Sequence, residues 1–222
     1  MSNSINQKIS ELRQEYRKGS LLRENLDPNP FALFEQWFDE AVNAAIPDAN
    51  AMTLATVGLD GVPNARTVLM KEFTDHGVTL FTNRHSNKGK ELAAAPVAGL
   101  LFHWKELERQ VHVRGKVAQT SHEESQAYFF SRPYDARIGA WASLQSEEIP
   151  EREWLSERVR EFEAKYPDNG KPDCVPLPEH WGGYRVIPQS IEFWQGQPGR
   201  KHDRFLYTCA EDGEWEAKRL SP

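Results

Sequence analysis

A chain of 222 residues, 39% hydrophobic and 27% charged, is long enough for one substantial core or two small ones. Its net charge of −6 argues against nucleic acid as the main partner, because no face is broadly basic, whereas local basic islands on an acidic protein suit small anionic ligands. Cys174 and Cys209 lie far apart and form no CxxC pair, and the seven histidines form no HxxxH or HExxH pattern, so neither a disulfide framework nor a zinc site is expected.

Residues 4–18 place Ile5, Ile9 and Leu12 at helical spacing, which predicts a short amphipathic helix ending at Gly19. This stretch is polar and lacks an apolar h-region. No apolar run reaches membrane-spanning length, so a cytoplasmic protein is expected. A second helix from Pro30 sets Phe31, Phe34, Trp37, Phe38 and Val42 on one face, as ordinary core packing. Met52 to Val57 and Ala65 to Phe73 read as strands joined by an Asp60-Gly61 turn, and Val78 to Thr82 follows Asp75-His76-Gly77. Ser86 caps a helix that Pro96 stops near Ala95. Strands are expected at Val97–Trp104 and Arg109–Ala118, the latter alternating Val111, Val113 and Val117 with polar neighbours.

Thr120 or Ser121 caps another helix through about Phe130. Pro150 to Tyr166 is a charged helix with Trp154, Leu155, Val159 and Phe162 as its buried stripe, followed by a Pro-rich loop over 167–178. Tyr184–Ile187, Ile191–Gln195, Arg204–Cys209 and Trp215–Leu220 read as four short strands. Strands in hairpin order with helices at the ends and in one insertion predict a mainly β (α+β) fold, an antiparallel barrel with peripheral helices. No boundary splits the chain, so residues 1–222 are expected to form a single domain, with an N-terminal helical segment over 1–45.

No GxGxxG follows a strand, Asn87-Lys88-Gly89-Lys90 lacks the spacing of a P-loop, and no GxSxG elbow occurs. What remains is a set of basic and polar islands. Arg200, His202 and Arg204 are two residues apart, so an extended strand sends all three side chains from one face. Two readings stand side by side: a face that holds an anion, or a solvated basic edge that blunts sheet pairing. The other islands, taken singly, also have plain readings. Arg66 and Lys71 suit charges flanking a buried strand, Ser86 suits an N-cap, and Tyr128 and Arg132 suit an i,i+4 pair on a helix.

Together the islands resemble the pyridoxine/pyridoxamine 5′-phosphate oxidase family. The resemblance runs over nearly the whole chain. It is carried by Arg13-Gln14-Glu15-Tyr16, Arg66-Thr67-Val68-Leu69-Met70-Lys71, Phe81-Thr82-Asn83, Leu107-Glu108-Arg109-Gln110-Val111 and Tyr128-Phe129-Phe130-Ser131-Arg132-Pro133. It continues in Ile138-Gly139-Ala140-Trp141, Gln145-Ser146, Trp181-Gly182-Gly183-Tyr184-Arg185, residues 191–206 and Arg219-Leu220-Ser221-Pro222.

The resemblance implies an FMN-binding split β-barrel acting as a homodimer, with residues from about 181 to 222 as a dimerisation and substrate region. It implies oxidation of pyridoxamine 5′-phosphate or pyridoxine 5′-phosphate to pyridoxal 5′-phosphate, with hydride passing to the flavin and O₂ reduced to H₂O₂. Arg66, Thr67, Val68, Leu69, Met70, Lys71, Phe81, Thr82, Asn87, Lys88, Gln110, Gln145, Ser146, Trp194 and Arg204 would contact FMN. Lys71, Tyr128 and Arg132 would hold the substrate phosphate, with Lys201 also at the substrate. Arg200 and His202 would lie by the reacting carbon as catalytic residues. Arg13, Gln14, Glu15 and Tyr16 would close over the site and exclude water. Arg66 and Lys71 are five residues apart and leave a regular strand on opposite faces, so serving one site needs a bulge, a strand end or sharing between subunits; sharing suits the family's dimer best.

Two positions depart from the family pattern. Ala136 stands where a serine usually contacts the substrate phosphate, and neighbouring Arg137 is the expected compensation. Asn87 stands where arginine is common, with Arg84 as the expected substitute charge. A split-barrel protein that binds flavin or pyridoxal phosphate without turnover, or a related flavoenzyme with another substrate, are the competing readings.

Overall fold

The computed structural model describes residue 9 and residues 15–222. The helix expected over 4–18, with Arg13 and Gln14, lies largely outside the described residues; from Glu15 to Ser20 the chain is irregular. The chain groups into two compact units: residues 1–49, 101–113 and 190–222, and residues 50–100 and 114–189. Nine strands make one sheet: β1 (Ala51–Val57), β2 (Pro63–Leu69), β3 (Glu72–Thr74), β4 (Gly77–Asn83), β5 (Val97–Trp104), β6 (Arg109–Gln119), β7 (Trp181–Gln195), β8 (Asp203–Cys209) and β9 (Trp215–Arg219). The helices are α1 (Pro30–Asn43), α2 (Asn87–Ala94), α3 (His122–Ser131), α4 (Tyr134–Ala142) and α5 (Arg152–Lys165). The antiparallel, split-barrel-like α+β architecture is the one the sequence predicts.

In the first unit, α1 starts where the Asn29 side chain accepts from the Phe31 N–H at 3.0 Å and Pro30 opens the first turn. Its buried stripe is Phe31, Leu33, Phe34, Trp37 and Ala41, whereas Val42 is exposed. The Phe34 ring meets Phe102 at 5.0 Å and Trp37 meets Phe193 at 5.3 Å, both edge to face. The later half of β7 pairs with β8 (Trp194 opposite Arg204), and β8 pairs with β9.

In the second unit the sheet runs β2-β1-β5-β6-β7-β4-β3. Ser86 caps α2 by accepting from the Gly89 N–H, and Ser121 forms a full capping box with Glu124 at α3. A core of Phe129, Ile138, Val175 and Trp181 supports the helices against the sheet. On α5, Trp154, Leu155, Val159 and Phe162 are only half-buried, so the helix covers this core without entering it.

Three expectations are corrected. Residues 181–195 are one continuous strand and not two. Pro188 falls between the stretch paired with β4 (181–186) and the stretch paired with β8 (190–195). The strand expected over 65–73 breaks at Met70. The Met70 N–H donates to Asn50 O and the Lys71 N–H to Thr79 O, so the chain changes partner strand between two residues. A strand end within one chain therefore separates Arg66 from Lys71. Finally, α4 forms where no helix was expected.

Candidate active site

The second unit contains a cavity of about 470 Å³ lined by Lys71 from the β2 end, Phe81 and Thr82 from β4, Tyr128 and Arg132 from α3, and Trp181 from β7, among others. The rings of Phe81 and Tyr128 stack at 4.1 Å and 14°, and Phe81 stacks on Trp181 at 5.4 Å and 9°, which makes a flat aromatic wall. Arg132 lies with its guanidinium carbon 5.0 Å from the centre of the Trp181 ring. Its Nη1 is buried with no hydrogen-bond partner among the described residues, and burial pushes the group below the usual arginine range. A buried guanidinium N–H without an acceptor is costly, so its place beside Lys71 and Tyr128 marks a seat for an anion. Another part of the lining is one face of α4: Ala136, Gly139 and Ala140, with Ser143 just beyond the helix end. Their i, i+3, i+4, i+7 spacing is the signal that sequence reading passed over; small side chains there leave the space.

A second group of donors surrounds α2. The Arg66 guanidinium donates to Glu91 Oε2 at 2.9 Å, and the same carboxylate accepts from Thr56 at 2.5 Å and from Asn64 Nδ2 at 2.9 Å. Burial alone would push the Glu91 carboxyl up, but these hydrogen bonds outweigh it and hold the group below its ordinary value. Half-buried Lys88 is pushed down by burial and then by the neighbouring Arg66 charge. Lys88 Nζ and Thr82 Oγ1 both donate to Gln145 Oε1 at 3.0 Å, which leaves the Gln145 amide N–H groups as donors. Two cations against one carboxylate, with amide and hydroxyl donors, fit a phosphorylated ligand. Next to Gln145, Ser146 is held at φ +73°, a left-handed conformation that fixes the loop.

In the first unit, Trp194, His202 and Tyr16 form a cluster. The rings of Trp194 and His202 are 4.6 Å apart, and Tyr16 sets its edge to both at 5.6 and 5.4 Å. His202 Nδ1 accepts the Gln197 N–H at 3.1 Å, so a neutral imidazole carries its proton on Nε2. The single basic face expected of Arg200, His202 and Arg204 is not formed. Pro198–Arg200 is a turn with Gly199 and Arg200 both at positive φ, His202 precedes the strand, and only Arg204 belongs to β8. Arg204 donates to Glu192 Oε1 at 2.7 Å and to Ser221 O at 2.9 Å; the Glu192 pairing raises it above the usual arginine range.

Other expected residues are placed less centrally. Thr67, Val68 and Leu69 lie on β2, with Leu69 at the cavity, and Met70 just after the strand is buried. Gln110 is half-buried on β6, and Lys201 is exposed after the 198–200 turn. Asn87 faces a different cavity, with Asn64, Lys90 and Glu91. One expected compensation is not made. Arg137 turns inward and bonds Pro172 O, so it does not replace the hydroxyl missing at Ala136, which lines the anion cavity. Arg84, two residues before the Ser86 cap of the helix that carries Lys88, packs against Gly182, and its Nε is buried with no partner among the described residues.

The sequence profile of the pyridoxamine 5′-phosphate oxidase family matches residues 38–166, and that of the pyridoxine 5′-phosphate oxidase C-terminal dimerisation region matches residues 181–222. The chain belongs to this family. Pyridoxine/pyridoxamine 5′-phosphate oxidase of Cupriavidus necator is 51% identical over 214 residues, covering 96% of this chain and 99% of that protein. The Paraburkholderia phymatum protein of the same name is 53% identical over 214 residues, covering 96% of this chain and 99% of its own. Among solved structures, Burkholderia lata PhzG, in complex with tetrahydrophenazine-1-carboxylic acid, superposes with a TM-score of 0.83 at 27% identity over 93% of this chain and all of that one. An FMN-binding, pyridoxamine 5′-phosphate oxidase-related protein of Nostoc punctiforme shares the fold, with a TM-score of 0.69 at 18% identity over 89% of this chain and all of its own.

Proposed function

We propose that this chain oxidises pyridoxamine 5′-phosphate or pyridoxine 5′-phosphate to pyridoxal 5′-phosphate, as an FMN-dependent homodimeric oxidase that reduces O₂ to H₂O₂. The observation that carries the reading is Arg132, whose buried, unpartnered Nη1 belongs to a side chain lining a cavity with a flat aromatic wall and a second cation, Lys71. A phosphorylated planar ring matches both features. No helix among the described residues is long and apolar enough to cross a membrane; we place the activity in the cytoplasm, where the acidic composition and the paucity of cysteine are at home.

In this reading Lys71, Tyr128 and Arg132 bind the substrate phosphate, two cations and a phenol meeting a dianion. The donors around Lys88 fit the phosphate of FMN: Arg66, Thr82, Lys88, Gln145 and Ser146 hold the cofactor, with Thr67, Val68, Leu69, Met70, Phe81, Asn87, Gln110, Trp194 and Arg204 as its other contacts. When bound, FMN supplies the two-electron redox chemistry that takes hydride from the substrate and delivers electrons to O₂. Arg200 and His202 address the substrate near its reacting carbon, with Lys201 beside them, and His202 offers an N–H at Nε2. Arg13, Gln14, Glu15 and Tyr16 cover them and exclude water.

The test is to purify the protein, record the flavin absorbance and measure peroxide release with pyridoxamine 5′-phosphate. A yellow protein that releases peroxide is the expected result. A yellow protein without peroxide release identifies a binder, and a colourless one that does not take up added FMN overturns the reading.

A further inference from the structure

The segment that carries Tyr16 is tied down by a side chain with no assigned role. Glu108 Oε2 accepts two successive main-chain N–H groups, from Arg17 at 2.7 Å and Lys18 at 2.9 Å. The backbone of the same residue reaches the other side of the contact. Glu108 O accepts the Gly196 N–H at 2.8 Å, and Gly196 is where the Tyr16 ring rests: a Cβ added there would come within 2.7 Å of Tyr16 Cγ. One residue thus holds both the strap and the glycine beneath its aromatic ring. Two further ties agree. Lys18 Nζ donates to Glu106 O at 2.8 Å, and Gln197, whose N–H bonds His202 Nδ1, donates through its side chain to Gly19 O. The Glu15–Arg17 ion pair is widely exposed and adds little to the docking.

We propose that Glu108 is a positioning residue whose carboxylate latches residues 16–18 so that Tyr16 is seated on Trp194 and His202, and that it acts on substrate binding through Tyr16. The proposal rests on the oxidase reading for its kinetic readout and on the strap geometry alone for its structural one. Carboxylate-to-amide hydrogen bonds are charge-assisted, and losing such bonds shifts an equilibrium by about tenfold or more. An undocked strap binds substrate in a state only fractionally closed, so KM rises with the fraction open while kcat changes less.

The latch also shields a protease site. The Lys18 N–H held by Glu108 belongs to the Arg17–Lys18 peptide bond, which trypsin cleaves only when the strap leaves its seat. The experiment follows tryptic cleavage after Arg17 and Lys18 by intact mass in the wild type, Glu108→Ala and Glu108→Gln, with melting temperature as the folding control. Glu108→Ala is expected to speed cleavage about tenfold with the fold retained, and Glu108→Gln, which keeps an acceptor oxygen, to fall between. A kinetic cycle of Glu108→Ala, Tyr16→Ala and the double variant then reads KM for pyridoxamine 5′-phosphate. If Glu108 acts through Tyr16, the double variant matches Tyr16→Ala. Unchanged cleavage in Glu108→Ala, or additive KM effects, overturns the proposal. A wild type without oxidase activity refutes the functional reading and leaves the cleavage result to decide the latch by itself.

Discussion

Arg66 Nη2 and Glu91 Oε2 are 2.9 Å apart, and the pair is largely shielded from water, with the Glu91 side chain only 7% exposed. Glu91 spreads its acceptor capacity over Arg66, Thr56 and Asn64, so it anchors α2 to β1 and β2 while Lys88, on the same helix, stays next to a second cation. The carboxylate offsets one positive charge and leaves the other for a ligand.

This pair sets a pH dependence. The Glu91 carboxyl is held below its ordinary value, so the folded state binds this proton less readily than the unfolded chain. The resulting stability is fully present above the unfolded carboxyl pKa of about 4.3 and is lost as pH falls through the lower folded value. Glu91→Gln should cost about 3 kcal/mol at neutral pH by leaving Arg66 without its counter-charge. The gap in melting temperature between wild type and variant should close in acid. A gap independent of pH would show that the charge of Glu91 contributes nothing.

Arg132 is expected to trade stability for binding. Its unpartnered Nη1 is a cost in the ligand-free protein. Arg132→Met, which keeps much of the volume over Trp181, should hold or raise the melting temperature of the flavin-free protein while raising KM for pyridoxamine 5′-phosphate about tenfold or more. A fall in both stability and affinity would instead make Arg132 a structural arginine.

At Ala136 the cavity wall lacks a hydroxyl. Since Arg137 points away to Pro172 O, nothing on the adjacent residue replaces it. A hydrogen bond to a charged group contributes roughly 1.5–3 kcal/mol, so Ala136→Ser should lower KM about tenfold, with kcat little changed. An unchanged KM in steady-state assays would place the substrate phosphate elsewhere.

Gly196 lies under Tyr16 with no room for a methyl group. Gly196→Ala should therefore push Tyr16 off Trp194 and His202, since displacing an exposed strap costs less than the 1–3 kcal/mol or so of forcing overlap in a packed site. Quenching of Trp194 fluorescence by a small solute such as acrylamide should rise in the variant, with KM rising alongside. Unaltered quenching would mean that Tyr16 already leaves its seat freely in solution.

Much of the scaffold was legible because local chemistry and tertiary context agree. Asn29-Pro30, Ser86 and Ser121 each start a helix at a side-chain cap, and β6 buries Val111 and Val113 of its alternating valines. The failures have physical causes. α4 carries three alanines and a glycine in nine residues, so it shows no apolar stripe although its backbone is helical. The break at Met70 comes from a change of partner strand, which no local pattern records. The turn at Arg200 was announced by Pro198-Gly199, and a periodicity of two among charged residues outweighed that signal. Candidate ligand residues such as Lys71 and Arg132 stood out by type and order, whereas Glu91 and Glu108 stayed hidden because their carboxylates bond to other parts of the chain.

The α4 wall has one more consequence. A Cβ placed on Gly139 meets nothing within 4 Å, so this position opens onto space and not onto core. Larger side chains there subtract from the cavity without forcing a neighbour to move, unlike substitutions at the tightly packed Phe129 or Ile138. At this wall, unlike at Trp181, which belongs to both the cavity lining and the core, the shape of the chamber can change apart from the packing. A lineage built on this scaffold can refit the chamber to ligands of other dimensions, one helical position at a time, while the packing that keeps it folded is left untouched.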